Sequence, residues 1–149
     1  MGSAPARGRH SERSLCNGKN GERAHLTLTS PQLGVRETRR IVGEYIHSKE
    51  DWERKTIFDD HIGFAYVGKS IPYHCLVPKE LVNLLVAGRC VSFERAIREE
   101  MRLIPPCTVT GYAAGLAAAQ AVSDGVTPRE LNLSKLKEAL QRNGVPFPK

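Results

Sequence analysis

The sequence lacks two patterns that would bear directly on location and chemistry: a long apolar run and closely spaced cysteines. No stretch approaches the roughly 20 consecutive apolar residues that a membrane-spanning helix needs, and no apolar signal-peptide segment follows Met1. We therefore expect a cytoplasmic protein without a membrane partner. The cysteines show no C-x-x-C spacing, which disfavours a zinc site or a redox dithiol and favours reduced, mostly buried thiols. They are Cys16, Cys75, Cys90 and Cys107.

Aromatic residues are also scarce, at 6% of the chain, and none occurs in the first 30 residues. That segment carries five basic and two acidic residues, so it holds +3 of the formal net charge of +6. Its Gly-, Ser-, Arg- and Asn-rich composition cannot bury enough apolar surface to offset the entropy lost on ordering. We expect residues 1–24 to form a solvated, disordered tail. A nucleic-acid-binding tail is the weaker interpretation, because the basic residues are dilute and lack interleaved aromatics.

The stretch NLLVAGRC, residues 83–90, contains four successive apolar residues followed by a glycine. An apolar run without polar alternation predicts a short strand, residues 84–87, buried on both faces as in parallel sheets. Gly88 would end that strand and let a ligand approach the backbone closely. Further along, the run TGYAAG at residues 110–115 predicts a helix start with little side-chain bulk, whose unpaired N–H groups favour an electron-rich ligand. Together these features predict a nucleotide-type cofactor site.

The segment LGVRETRRIVGEYI, residues 33–46, interleaves arginines with apolar residues. The alternation around Arg36 and Arg40 predicts a strand or extended segment that runs into a turn at Gly43. A salt-bridged surface strand is one interpretation. The other is an anion-facing strip in which the guanidinium groups bind carboxylate or phosphate. Residues 24–32 are also strand-like.

Capping signals predict the helices. Ser48 is placed to cap a helix with Asp51 at its third position. A short amphipathic turn is expected near residues 93–101, followed by a break at Pro105 and Pro106. An Ala-rich helix should then run from about residue 108 to 123 with Gly125 as its left-handed cap. Further helix starts are predicted at Thr127 and Ser134, the last helix ending at Arg142 and closed by Gly144.

Two groups of polar residues could be taken for ligands. Asp59, Asp60 and His61 are adjacent, and neighbouring side chains rarely converge on one metal ion, so loop residues are the better interpretation. His74 lies in a predicted extended segment that a turn at Pro78 ends. We expect it to have a structural or ligand-contacting role, and we expect no metal site.

Four blocks in order resemble the C-terminal part of the FAD-dependent oxidoreductase family, whose members begin with a dinucleotide-binding Rossmann segment. The blocks are LGVRETRRIVGEY, IPYHCLVPK, NLLVAGRCVS and LIPPCTVTGYAAGLAAAQAVSDGVTPREL. The similarity covers residues 33–145, about three quarters of the chain. It implies a flavin cofactor, FAD, and assigns residues 25–149 to the C-terminal portion of such a domain.

The resemblance also implies residue roles. The family's Gly-Arg turn, here Gly88 and Arg89, lies against the flavin–ribityl region, and Ser92 follows in the same loop. The residues that correspond to the family's next Arg and Pro are Arg102 and Pro105. The helix start that faces the pyrimidine edge of the flavin would hold Thr110, Gly111, Ala113 and Ala114, where it would stabilise charge on the reduced ring. The strip on the substrate side of the flavin would hold Arg36, Arg39 and Arg40.

The sequence departs from the family pattern in places. The His-Glu pair that many relatives carry after Gly-Arg-Cys is replaced by Arg95 and Ala96, and Tyr112 stands where others have Gln. No G-x-G-x-x-G motif occurs, since Gly18 and Gly21 do not follow an apolar strand. The chain therefore looks like the C-terminal piece of a longer enzyme, and we expect weak or absent flavin binding by this chain alone.

The fold class that these features predict is α/β: a partial FAD-binding, Rossmann-like fragment with one buried strand, a few mixed or antiparallel strands and C-terminal helices. The implied activity is hydride transfer between FAD and a small organic substrate. The alternative is a non-catalytic remnant or accessory subunit that pairs with a separate Rossmann-containing chain, or self-associates, through the apolar surface left by the absent segment. A small basic nucleic-acid binder is a third and weaker alternative.

Overall fold

The computed structural model describes residues 28, 31–32, 34–37, 39–66 and 68–147. The chain divides into two units, Met1–Val35 and Arg36–Lys149, and the elements below all belong to the second. The predicted tail lies outside the described residues, as do six of the nine residues of the strand-like segment 24–32.

The first helix, α1 (Lys49–Arg54), begins where its cap predicts. The Ser48 hydroxyl accepts a hydrogen bond from the Asp51 N–H at 3.0 Å, which satisfies one of the unpaired donors of the first turn. Lys55 ends the helix in the left-handed conformation, with φ 57°. Trp52 turns inward and is buried.

A hairpin follows, formed by β1 (His61–Tyr66) and β2 (Lys69–Pro72), which pair antiparallel. The pairing register shifts between His61 and Phe64, next to Gly63 with φ +132°. A Cβ atom on Gly63 would lie 2.8 Å from Val145 Cγ1, so a glycine lets the C-terminal segment pack directly on this strand.

Three extended segments outside this hairpin are held together by backbone hydrogen bonds. Glu44 N–H donates to Val77 O at 2.9 Å, His47 N–H donates to Ser92 O at 3.2 Å, and Ser92 N–H donates to Cys75 O at 3.0 Å. The segments around residues 41–47, 75–79 and 90–94 therefore form an irregular layer that buries Cys75 and Val77. The bend predicted at Gly43 occurs one residue later, at Glu44 and Tyr45, and Gly43 itself forms an isolated bridge with Pro78.

The strand predicted at residues 84–87 is also wrong. No strand is assigned to these described residues, Leu84 is 42% exposed, and the next three residues are only half-buried. The segment is held by a hydrogen bond from Val86 N–H to Leu76 O at 2.9 Å. A strand buried on both faces needs neighbours on each side, and the described residues place no strand on either side of this one.

The short turn Arg95–Ile97 leads into α2 (Arg98–Met101), which matches the predicted amphipathic turn and buries Ile97 and Met101. Helix α3 (Ile104–Asp124) begins four residues earlier than predicted. The break predicted at the two prolines is wrong: they lie in the first turn of α3, where the fixed φ suits a helix and no N–H bond is lost. Gly125 ends α3 with φ +64°, as predicted.

Thr127 and Glu130 form the predicted capping box, but only a single 3-10 turn, Pro128–Glu130, follows it. The last helix, α4 (Leu133–Arg142), is confirmed. The hydrophobic core is built from side chains of these helices, strands and turns. Its largest fully buried apolar side chains are Tyr73, Ile62, Ile71, Leu76, Ile97, Met101, Leu136 and Leu140.

Helices with a small sheet make the described part broadly α/β. Its one sheet has two antiparallel strands rather than the predicted Rossmann-like arrangement. None of the helices in the described ranges combines the length and apolar character needed to cross a membrane.

Candidate functional site

The two stretches that the sequence singles out, the Gly88 turn and the small-residue helix, lie in contact. Gly88 begins the short turn Gly88–Cys90 with φ +73°, a conformation that favours glycine. Its N–H donates to Thr110 Oγ1 of α3 at 3.0 Å. The Thr110 hydroxyl in turn donates to Pro106 O at 2.7 Å, so the side chain is fixed within the helix. Thr110 therefore ties the turn to α3.

The glycines of this region face open space. A Cβ atom built on Gly88, Gly111 or Gly115 would meet no other atom within 4 Å. Gly111 and Gly115 are one helical turn apart and therefore share a face of α3. Packing inside the chain therefore does not require glycine at these positions.

The segment before the turn lies along the other half of α3. Between them is a cavity of about 390 Å³, bounded by Leu84 and Leu85 on one side and by Ala114, Ala118 and Val122 of the helix on the other. Leu84 and Val122 are exposed at its edge, at 42% and 84%. The two predicted cofactor-site stretches thus meet at the bond between Gly88 and Thr110 and again across this cavity.

The helix-start prediction for Thr110, Gly111, Ala113 and Ala114 is wrong. Since α3 begins at Ile104, these residues lie two turns inside the helix, where N–H groups are bonded to carbonyls one turn back. Ala113 is fully buried in the core. The free helix end is near Pro105, and its prolines supply no N–H for an anion. Only the exposed face of this stretch, with Gly111, is open to a ligand.

Two other predicted residues are placed away from the open face. Ser92 is 1% exposed and lies against Gly43, whose Cβ position would be 2.8 Å from Ser92 Cβ. Arg102 donates to Glu99 Oε2 at 2.6 Å within the α2 region. Arg89, by contrast, is exposed beside Gly88. The turn therefore brings Gly88, Arg89 and Thr110 together, while Ser92 contributes to the core.

The predicted substrate strip is part of an ion-pair network. Glu37 pairs with Arg40 and lies 3.5 Å from Arg95 Nε, and Glu99 Oε2 lies 3.6 Å from Arg36 Nη1. The Arg40 guanidinium also lies 4.8 Å from the centre of the Phe93 ring. This arrangement matches the salt-bridged interpretation for Arg36 and Arg40, whereas Arg39 is exposed.

The structure reveals a pair that the sequence does not predict. His74 Nδ1 lies 2.6 Å from Asp60 Oδ2, and the same oxygen accepts the His74 N–H at 3.0 Å. The hydrogen bond with Asp60 raises the pKa of His74 against the effect of burial. Burial opposes ionisation of Asp60, but the bonds from His74 leave its pKa below the ordinary value. Fourteen residues separate the two, so no local pattern could signal the pair.

His47, which is buried, behaves differently from His74. His47 is 1% exposed, and its ring centre lies 5.4 Å from those of Trp52 and Phe58. Burial lowers the pKa of His47 to about 4, so the imidazole is neutral near pH 7. Its Nδ1 atom has no hydrogen-bond partner among the residues that the structure describes. In the described ranges, no group of three or more His, Cys, Asp or Glu side chains is arranged to hold a metal ion.

Comparison with known proteins gives one match. The family model described as FAD dependent oxidoreductase matches residues 6–69 and 65–140, which together span most of the chain. The first matched range begins inside the segment for which composition predicts a tail. No curated protein and no solved structure matches the chain. The resemblance seen in the four sequence blocks is therefore confirmed by an independent comparison, and the chain belongs to the FAD dependent oxidoreductase family.

Proposed function

We propose that this chain forms part of the flavin-facing surface of an oxidoreductase that transfers a hydride between FAD and a small organic substrate. Membership of the family supports the use of FAD. The structural observation that carries the proposal is Gly88, held at φ +73° against α3 by Thr110 and facing open space.

The residues at the turn fit a flat, polar-edged group. With no Cβ atom at Gly88, such a group can approach the backbone closely. Gly111 and Gly115 leave the neighbouring face of α3 equally open. Arg89 adds a cationic side chain beside the turn, suited to an electron-rich edge. These residues bind and orient the ring, and the apolar segment at Leu84 and Leu85 excludes water beside it.

FAD, when bound, supplies the two-electron chemistry of the reaction. The chain contributes binding and charge on the substrate side. Arg36 has a side chain that is 67% exposed and a single long ion pair to Glu99, and Arg39 is exposed. Both can bind a carboxylate or phosphate of a substrate. Arg40 is held between Glu37 and Phe93, so its role is to position the strip.

The 149 residues contain no G-x-G-x-x-G motif, the glycine loop that cradles the pyrophosphate of dinucleotides. We therefore expect weak affinity for FAD and no turnover from this chain by itself. Binding should be measured by equilibrium dialysis, which detects weak complexes that desalting would lose.

The Gly88→Ala variant tests the site, with Gly144→Ala as its matched control. Both glycines have positive φ, at +73° and +83°, and both face open space, so the backbone strain of an added Cβ is similar. We expect Gly88→Ala to weaken FAD binding about tenfold, equivalent to about 1.4 kcal/mol. Gly144 does not line the cavity between Leu84 and α3, so Gly144→Ala should bind FAD like the unmodified chain. Absence of saturable binding, or equal loss in both variants, would contradict the proposal.

A second candidate function, that of an accessory subunit, is supported by the exposed apolar residues beside the cavity. Leu81, Val82 and Leu84 are each more than 40% exposed, and Val122 is 84% exposed. An apolar surface of this kind is typical of a protein interface. The occupant proposed here is a chain that carries a dinucleotide-binding segment.

Light scattering with chromatography distinguishes the two functions. The chain should form a stoichiometric complex with a dinucleotide-binding segment of this family, and Val122→Asp should abolish the complex. Ser123→Asp, at the neighbouring exposed position, is the matched control. A complex that survives Val122→Asp would argue against this surface. FAD binding by the complex but not by the chain alone would favour the subunit over the first candidate.

A further inference from the structure

We propose that Cys90 and Cys107 form a reversible disulfide that links the Gly88–Cys90 turn to helix α3. This modification site does not depend on flavin binding, and the spacing of the two cysteines in the sequence gives no sign of it.

The backbone geometry brings together the two segments that carry these cysteines. The Oγ1 atom of Thr110 lies 3.0 Å from Gly88 N and 3.2 Å from Cys107 O, so a single atom bridges the turn and the first part of α3. Cys90 is the last residue of that three-residue turn, whose closing bond runs from Val91 N–H to Gly88 O. Cys90 and Cys107 are thus attached to two backbone segments that meet at one hydroxyl group.

Both thiols are accessible to solvent. Cys90 is exposed and Cys107 is partly exposed, whereas Cys75 is fully buried. Burial raises the pKa of Cys107, the Arg89 guanidinium lowers it, and the Cys90 thiol raises it. The surroundings of the Cys107 sulfur therefore include both the Cys90 thiol and a cationic side chain. Exposed thiols near cationic groups are the ones that exchange with disulfides.

The reaction proceeds by thiol–disulfide exchange with a small-molecule disulfide such as oxidised glutathione. The Cys90 thiolate, the more accessible one, attacks a sulfur of the oxidant; a mixed disulfide forms and one glutathione thiolate leaves. The Cys107 thiolate then attacks the Cys90 sulfur, which forms the protein disulfide and releases the second glutathione. Two protein thiols are oxidised, their two protons are taken up by the two released thiolates, and one glutathione disulfide is reduced.

The disulfide between Cys90 and Cys107 fixes the position of Gly88 relative to α3. In the reduced chain, the hydrogen bond from Gly88 N–H to Thr110 Oγ1 holds the Gly88 end of the turn to α3, and a bond from Ile41 N–H to Cys90 O at 3.0 Å holds its other end. A covalent link two residues away removes the freedom of the turn to leave the helix. The thiol state therefore controls how rigidly the turn is presented to any ligand.

Tryptic peptide mapping tests the proposal on the full chain. The chain is equilibrated in a series of buffers with increasing ratios of oxidised to reduced glutathione. Each sample is then quenched with acid, alkylated and digested. Trypsin cleaves after Arg89, Arg95, Arg102 and Arg129, so Cys90 and Cys107 fall in separate peptides, residues 90–95 and 103–129. We expect most molecules to yield these two peptides joined by a disulfide at the oxidised end of the series, and separate alkylated peptides at the reduced end.

The variants Cys16→Ser and Cys75→Ser, combined, remove the other thiols and should leave the linked pair unchanged. Cys90→Ser should abolish the link and leave Cys107 as a free thiol or a glutathione adduct. Disulfides require Cα atoms within about 7 Å. If both cysteines accumulate as separate glutathione adducts in the unmodified chain, or if Cys90 links to Cys16 or to a second chain instead, the proposal is wrong.

Discussion

The imidazole of His74 lies 2.6 Å from the carboxylate of Asp60, and the same carboxylate oxygen accepts the backbone N–H of His74. The pair joins the turn before β1 to the 3-10 turn after β2. It therefore closes the open end of the hairpin with a charge-assisted bond, which is stronger than a neutral hydrogen bond.

The first prediction concerns this pair. Asp60→Asn should lower the pKa of His74 toward 6.5, because the bond to Asp60 is what raises it. A histidine with a raised pKa in the folded state stabilises the fold fully below the unfolded value of about 6.5, and this contribution is lost as the pH rises through the folded pKa. The imidazole titration of His74 should be followed by NMR. Asp59→Asn, at the adjacent exposed carboxylate, should leave the pKa of His74 unchanged.

The destabilisation caused by Asp60→Asn should accordingly be larger near pH 6 than near pH 9. Urea unfolding of the variant and the unmodified chain at both pH values measures that difference. An equal loss at the two values would mean that the His74 charge does not contribute, and that Asp60 acts only through the backbone N–H.

The second prediction concerns acid stability. The pKa of His47 is lowered to about 4 in the folded chain by burial. The unfolded chain then binds the proton more readily, so stability is full above about pH 6.5 and falls as the pH drops toward 4. Near pH 5 the loss should be about 2 kcal/mol, since each unit of pKa shift is worth about 1.4 kcal/mol. His47→Phe, which suits the Trp52 and Phe58 surroundings, should remove most of this loss. A pH dependence unchanged in His47→Phe would contradict the assignment.

The third prediction contrasts two glycines. A Cβ atom on Gly43 would lie 2.8 Å from Ser92 Cβ and 3.0 Å from His74 O, and the backbone oxygen cannot move cheaply. Gly43→Ala should therefore destabilise the chain by about 1–3 kcal/mol. Gly111, within α3, has open space, and Gly111→Ala should stabilise it by about 1 kcal/mol. Urea denaturation measures both, and the same sign in both variants would refute the packing argument.

The fourth prediction concerns the attachment of the Gly88 turn. Thr110→Val keeps the shape of the side chain but removes the acceptor for Gly88 N–H. We expect a loss of about 1–2 kcal/mol, the cost of a partly buried donor without a partner. Amide hydrogen exchange at Gly88 should become faster. Thr110→Ser retains the hydroxyl and should restore slow exchange. Unchanged protection in Thr110→Val would show that other contacts hold the turn.

The candidate site was only partly predictable. The sequence blocks indicate that Gly88 and Thr110 belong to one site, and the 3.0 Å contact between them agrees with that expectation. The position of Thr110 along the helix was not predictable from the Gly/Ala pattern, because two prolines suit the first turn of a helix as well as a break before one. The prediction therefore placed the helix start at about residue 108, whereas the helix begins at Ile104.

The sequence by itself determined the features that depend on interactions between residues close together along the chain. The caps at Ser48 and Gly125 use hydrogen bonds between residues at most four positions apart, and both form as predicted. The bonds between Thr127 and Glu130 are equally local, but a 3-10 turn follows them instead of the predicted helix. Family membership is likewise carried by contiguous blocks of residues.

Tertiary contacts decided the rest. Whether residues 84–87 become a strand depends on neighbours that the segment does not itself encode, and the described residues supply only a bond to Leu76. The same holds for the His74–Asp60 pair and for the meeting of the Cys90 and Cys107 segments at Thr110. The His74–Asp60 and Gly88–Thr110 contacts join residues 14 and 22 positions apart along the chain. Their proximity follows from how the core packs rather than from any local pattern.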